Sequence, residues 1–397
     1  MKRTAETARA WKGTAIWSRG FRPFFALAGI WAVVAMALWP ALFLGQIGIP
    51  TAFSAVDWHV HEMIFGYGSA VVAGFLLTAI PNWTGRLPVA GLPLGLLTGL
   101  WAAGRIAVFT SAIVGPVPAA IVDVGFLLTF SAIAGREVIS GRNWRNAKIV
   151  LVVLMFAAAN AAFHIEAATA GAAGIATRAG LATIVLLILL IGGRVVPSFT
   201  HNWLAKRGAA ARPAPFGRPG LAVMALSGLA LGLWVIEPEE SRIGAVLLVA
   251  GAANLWRLSR WRGWVTYPER LVLVLHVGYL LAALGFVFAG AHAVLPDLVP
   301  SAAGVHVWTV GAIGTMTLAM MTRATLGHSG QPLTASAATR LIYFAVVAAA
   351  VARVAMAFLP DYGVPFIYAA ACIWIAAFAA FLCAYGPLLA RSVAKAE

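Results

Sequence analysis

His59, His61 and Glu62 fall within one helical turn, at the entrance to an almost uninterrupted apolar run over residues 64–80. Imidazole nitrogens and carboxylates bind metals and carry protons. At the mouth of a bilayer-crossing segment such groups are costly to desolvate, so they mark a cofactor, ion or proton site. The arrangement returns late in the chain, where His306 opens a second apolar run over residues 307–321. His59 and His61, two residues apart, point about 200° apart around a helix. On a regular helix they cannot grip one metal, so two separate sites, or one ligand and one hydrogen-bonding partner, fit better. A haem held by two imidazoles needs them on opposite sides of the ring at one depth. His306 paired with His61 or His59 meets that condition.

The scaffold for these residues is set by composition. The chain has 397 residues, 62% apolar and 10% charged, with mean hydropathy +0.90. Soluble domains are about half apolar and a quarter charged, so this is an all-α polytopic membrane protein. Runs of about 20 residues, enough to cross a bilayer, fall near 23–44, 58–81, 91–112, 117–139, 147–168, 178–203, 219–236, 242–259, 270–292, 303–326, 340–359 and 364–389. That predicts twelve transmembrane helices, numbered one to twelve. The first run is too long for a signal peptide and lacks a clear cleavage site. The predicted organisation is a basic cytoplasmic N-terminus (1–22), a transmembrane domain (23–390) and a short cytoplasmic tail (391–397).

The basic residues fix the orientation. Of 28 Lys and Arg, only Arg178 and Arg242 fall in loops on one side, and Arg105, Arg194 and Arg353 fall within spans. All the others lie on the side of both termini, which is therefore cytoplasmic. The net charge of +15 is thus a topology signal and gives no sign of nucleic-acid binding. Cys372 and Cys383 lie eleven residues apart on one helix, about 16 Å, too far for a disulfide. The chain has no Cys-x-x-Cys-His motif for covalent haem attachment.

Orientation gives each candidate a depth. His59, His61 and His306 lie at the outer ends of helices two and ten. His164 and His292, near the outer ends of helices five and nine, read as solvated helix ends. Arg105 and Arg353 lie in the outer third of helices three and eleven, and Asp123 in the outer third of helix four. Buried charges need partners: Arg105 either pairs with Asp123 or, with Arg353, offers a guanidinium fork to haem propionates. Arg194 follows Gly192-Gly193 and precedes Pro197, a local break in helix six. With His276, His201, Arg323 and His328 it is a candidate for a second, inner site. Glycine spacings such as Gly66-Tyr67-Gly68 read as close helix packing.

Several motifs resemble the NnrS family. They are His59-Val60-His61-Glu62-Met63-Ile64-Phe65-Gly66, the stretch 73–86 ending Pro81-Asn82-Trp83-Thr84-Gly85-Arg86, Gly192-Gly193-Arg194-Val195-Val196-Pro197-Ser198-Phe199-Thr200, and the stretch from His306 through Thr315-Met316-Thr317 to Arg323-Ala324-Thr325-Leu326-Gly327-His328-Ser329-Gly330. They occur in the family's order and cover nearly the whole chain. The resemblance implies a bacterial inner-membrane protein that contains haem and copper, is regulated with denitrification genes and serves nitric oxide metabolism or nitrosative-stress resistance. It carries over His59, His61, Glu62, Arg194, His306, Arg323 and His328, with His276 in His276-Val277-Gly278-Tyr279. A looser, fold-level analogy is the twelve-helix haem-copper oxidase bundle. This chain lacks that bundle's His-Tyr pair on helix six and has no histidine on helix seven.

The expectation is therefore haem b in the outer half, on His306 with His61 or His59, and copper or a second haem on the remaining histidines, His276 among them. His328, Arg105, Arg194, Arg323 and Arg353 are candidates for cofactor contact. Nitric oxide would bind an open metal position, to be reduced with electrons from a membrane or periplasmic donor, or only bound. Glu62 would relay protons or hydrogen-bond a ligand's second nitrogen. The alternative is a secondary transporter for a metal chelate or small anion, whose ionisable groups would lie at midplane between inverted repeats. Here they lie at helix mouths, and the recurrence joins helices of like orientation.

Overall fold

Long apolar stretches with few breakers each become one helix, because a backbone in lipid must satisfy its own hydrogen bonds. The computed structural model describes residues 13–210 and 212–391, and among these it contains helices and no strand. In chain order the long helices are α1 (Phe21–Phe43), α2 (Ala55–Thr84), α3 (Leu92–Phe109), α4 (Pro116–Ser140), α5 (Trp144–Ala170), α6 (Gly174–Lys206), α7 (Arg218–Ile236), α8 (Ser241–Ser259), α9 (Arg270–Val294), α10 (Ser301–His328), α11 (Ala337–Phe358) and α12 (Pro360–Ala390). Eleven described helices are long and apolar enough to cross a membrane. The twelve expected runs all form helices, but α8 falls outside the eleven. It carries Arg242, Asn254 and Arg257, and two of these, Asn254 and Arg257, lie on its buried stripe with Gly244, Leu247, Ala250 and Gly251. The expected placement of residues 1–12 and 392–397 lies outside the described residues.

Leu92, Leu96, Ile106, Ile113, Ile121 and Phe344 are all well exposed. Apolar surface on that scale needs a cover, and a bilayer supplies one. This is a membrane protein. Its helix ends are made by short-range signals. Ser54 caps α2 by accepting from Asp57 N at 3.1 Å. Glu166, near the end of α5, accepts from the backbone N–H groups of Gly174, Ile175 and Ala176 at 2.8–3.1 Å and so satisfies the orphan donors that open α6. Gly115, at φ +94°, makes the turn before Pro116 starts α4.

The chain forms two compact units. The first runs to Thr183 and adds Met321–Pro332 and the chain from Phe378; the second comprises Ile184–Met320 and Leu333–Ala377. In the first, α1 packs on α2, α2 on α4, and α4 on α3 and α5. In the second, α8 packs on α7 and α9, and α9 and α11 pack on α10. Two helices share a distortion. α2 widens into a π-helix over Glu62–Gly68, immediately after His61, and α10 does so over Val307–Ile313, immediately after His306. Such segments are rare and frequent at functional sites.

Candidate metal centre

The first unit concentrates polar groups at one level. Consecutive helices run in alternate directions, so the start of α2, the end of α3, the start of α4 and the last third of α5 meet. They supply His61 and Glu62, Arg105, Asp123, and Asn160 with His164. All six side chains are buried, His164 least so at 9% exposure.

Arg105 organises the charges. Its Nη1 donates to both oxygens of Glu62 at 2.7 Å, and its Nη2 donates to Asp123 Oδ1. The expected Arg105–Asp123 pair is present, with Glu62 as a second partner. Asp123 Oδ2 collects the other side of the site: Asn160 Nδ2 donates to it at 2.8 Å, and His61 Nε2 and His164 Nε2 lie 3.1 and 3.0 Å away. His61 Nδ1 is 3.0 Å from Glu62 Oε1, and its Nε2 is also 3.0 Å from Asn160 Oδ1. With neutral histidines, two carboxylates face one guanidinium, which leaves one negative charge in a buried site.

Aromatic rings wall this cluster. Phe53 stands 5.3 Å from both imidazoles, and Phe163 and Phe65 stand 5.1 and 5.4 Å from His61. Two glycines allow the approach. A Cβ on Gly66 would lie 2.7–2.8 Å from Arg105 Nη1, Glu62 Oε2 and Trp31 Nε1, and one on Gly104 would lie 3.1 Å from Asp123 Oδ1. Gly66 O accepts from Trp101 Nε1 at 3.0 Å, which ties the π-helical turn to α3. His61, Asp123 and His164 present one donor atom each, mutually within 4.8 Å, a spacing that can hold a metal ion.

The other sequence candidates lie elsewhere. His59 points away from His61, as its spacing requires, and stacks on Trp39 at 3.9 Å. In the second unit, the half-buried His306 donates from Nδ1 to Ala302 O at 2.7 Å. There too, His276 Nε2 meets Thr200 Oγ1 at 2.8 Å, and Arg194 and Arg353 are half-buried. In the first unit His328 Nδ1 accepts from Arg19 at 3.0 Å, and Arg323 is half-buried. His201 is exposed, and His292 bonds Val299 O at 2.8 Å. Of the site residues expected from sequence, the cluster joins His61, Glu62 and Arg105.

His164 was expected at a solvated helix end, and the structure buries it. The missed signal was its spacing: Asn160 lies four residues earlier, on the same helix face, and α5 continues to Ala170.

Fold and site together define a polytopic helical membrane protein with a buried nitrogen and oxygen cluster suited to a cation. A family model described as NnrS protein matches residues 15–392. The chain belongs to the NnrS protein family, as its motifs indicated. A comparison with curated proteins gave no match.

Proposed function

We propose that this protein handles nitric oxide in the bacterial inner membrane, binding or reducing it at a metal centre held by His61, Asp123 and His164. Family membership supports the nitric oxide assignment. One observation carries the metal: both ring nitrogens of His61 face acceptors. Nδ1 faces Glu62 Oε1, while Nε2 faces Asp123 Oδ2 and Asn160 Oδ1. A neutral imidazole has one N–H to give. Flipping the Asn160 amide, whose orientation is an assignment, would only turn its oxygen toward Asp123. Either an imidazolium donating from both nitrogens or a cation at Nε2 resolves the conflict and offsets the surplus negative charge, and the convergence of His61, Asp123 and His164 donor atoms within 4.8 Å favours the cation.

Two imidazoles and a carboxylate suit copper or iron, and copper is the assignment proposed. When bound, the ion supplies an open position for nitric oxide. The protein's own part is positioning. Glu62 accepts a hydrogen bond from Nδ1–H and so fixes the tautomer whose Nε2 lone pair is aimed inward. Arg105 holds both carboxylates in place, and the phenylalanines keep water out.

Haem b belongs to other histidines in this reading. His306 donates a hydrogen bond from Nδ1–H to the Ala302 carbonyl, which leaves the Nε2 lone pair for iron. His59, turned away from His61 and stacked on Trp39, is a separate candidate for holding haem in the first unit. Arg353 is the propionate candidate in the second unit, and His276, Arg194, Arg323 and His328 are further contact candidates. We place both termini in the cytoplasm and count α8 as a twelfth crossing, because Asn254 and Arg257 lie on its packed face.

Optical spectra of the detergent-purified protein, oxidised, dithionite-reduced and exposed to nitric oxide, test the reading. It expects a b-type reduced band that shifts with nitric oxide, is lost in His306→Ala and persists in His164→Ala. Natively expressed protein with neither haem nor copper would refute it.

A further inference from the structure

Three arginines are buried among the described residues, Arg22, Arg105 and Arg257. Two have evident compensation. Arg22 donates to the carbonyls of Leu388, Leu389 and Arg391 at 2.8–3.0 Å and closes the end of α12. Arg105 has Glu62 and Asp123. Arg257, 5% exposed, has no such partner. None of the ion pairs among the described residues includes it. Among the described residues its hydrogen bonds leave from Nη1, to Tyr279 Oη and Met224 Sδ, both at 3.1 Å. The rings of Phe216, Trp261 and Tyr279 also stand around it, 5.2–5.9 Å from Cζ. The C-terminus of α8 contributes at most about half a negative charge. A buried cation left in that state is costly.

The position is built. Tyr279 Oη donates to Asn254 Oδ1 at 2.7 Å, and Asn254 Nδ2 donates to Ser227 Oγ at 2.8 Å. Gly193 leaves the room: a Cβ there would lie 2.8 Å from the guanidinium carbon. Arg257 and Arg260 line a small groove of about 20 Å³ with Phe216, Gly220 and Trp256, space for one water-sized group. The nearby loop exposes Trp264 and Tyr267, with Arg270 stacked 3.9 Å over the Tyr267 ring. Exposed aromatic and basic residues at a helix end mark the headgroup level of a bilayer.

We infer that Arg257 and Arg260 bind an anionic phosphate group, one oxygen seated in the groove against Arg257 and the remainder outside it. The guanidinium fork suits a phosphate, and the site shares no residue with the metal centre. The group is either the headgroup of an anionic lipid or free inorganic phosphate.

Delipidated full-length protein carrying its native cofactors is titrated with phosphatidylglycerol, and separately with inorganic phosphate at constant ionic strength. Thermal stability and tryptophan fluorescence are followed. The expected result is saturable stabilisation by at least one of the two, with apparent affinity roughly tenfold or more weaker in Arg257→Gln and Arg260→Gln. A response to phosphatidylglycerol alone assigns the lipid, and one to phosphate alone assigns the free anion. If Arg257→Gln does not fold, Arg260→Gln, at the groove's rim, decides. No saturable response to either, or one unchanged in the foldable variants, would overturn the inference.

Discussion

Asp123 is bonded or closely faced by three helices: Arg105 from α3 on one oxygen, and Asn160 with His164 from α5 and His61 from α2 on the other. Among these side chains Arg105 is the only permanent cation, so Arg105→Gln leaves its two buried carboxylates without their guanidinium partner. The expected cost is about 3–5 kcal/mol, read as lost resistance to thermal unfolding in detergent. Glu62→Gln is a different experiment, since the amide keeps the volume and a hydrogen bond. It should fold and bind metal roughly 10–100-fold more weakly in a competition with a chelator of known affinity. Equal affinity in the two proteins would remove Glu62 from the site. At this scale the sequence was partly legible. His61 and Glu62 stood out because ionisable groups are rare at span mouths. Asn160 and His164 did not, because each is unremarkable until Asp123 is brought beside it by two further helices.

At the scale of elements, the π-helical turn of α2 carries Gly66, against which Arg105, Glu62 and Trp31 all close. Gly66→Ala should cost about 1–3 kcal/mol through overpacking and loosen the metal site. Unfolding midpoints beside metal content check it, and an unchanged protein would mean that the turn has slack the packing does not suggest. The wider turn could not be read beforehand: in a run apolar on every face, no polar stripe reports the helix phase. The ends of α8 were legible, 242–259 against Ser241–Ser259. By run length it counts among twelve spans, whereas its polar Arg242, Asn254 and Arg257 accompany its place outside the eleven described helices long and apolar enough to cross. Arg257, at the end of that run, counts in the sequence only among the basic residues on the side of both termini.

For the whole molecule, run lengths sufficed to place the helices, and the alternation of basic loops predicted their direction. The meeting of α2 and α4 starts with α3 and α5 ends in the first unit agrees with that alternation. Single cysteines at Glu239 and Arg262 flank α8 and test whether it crosses. An impermeant thiol reagent added to intact cells should label Glu239→Cys and leave Arg262→Cys unlabelled, in a background without Cys372 and Cys383. Labelling of both, or of neither until the cells are opened, would place both ends of α8 on one side. That would reduce the crossings to eleven.

The metal centre is the central claim, and the copper-to-protein ratio of natively expressed, detergent-purified protein addresses it most directly, with wild type and His164→Ala measured side by side. The account predicts about one copper per chain in the wild type and roughly a tenth of that or less in the variant, both proteins remaining folded. Copper absent from the wild type, or present equally in both, would contradict it.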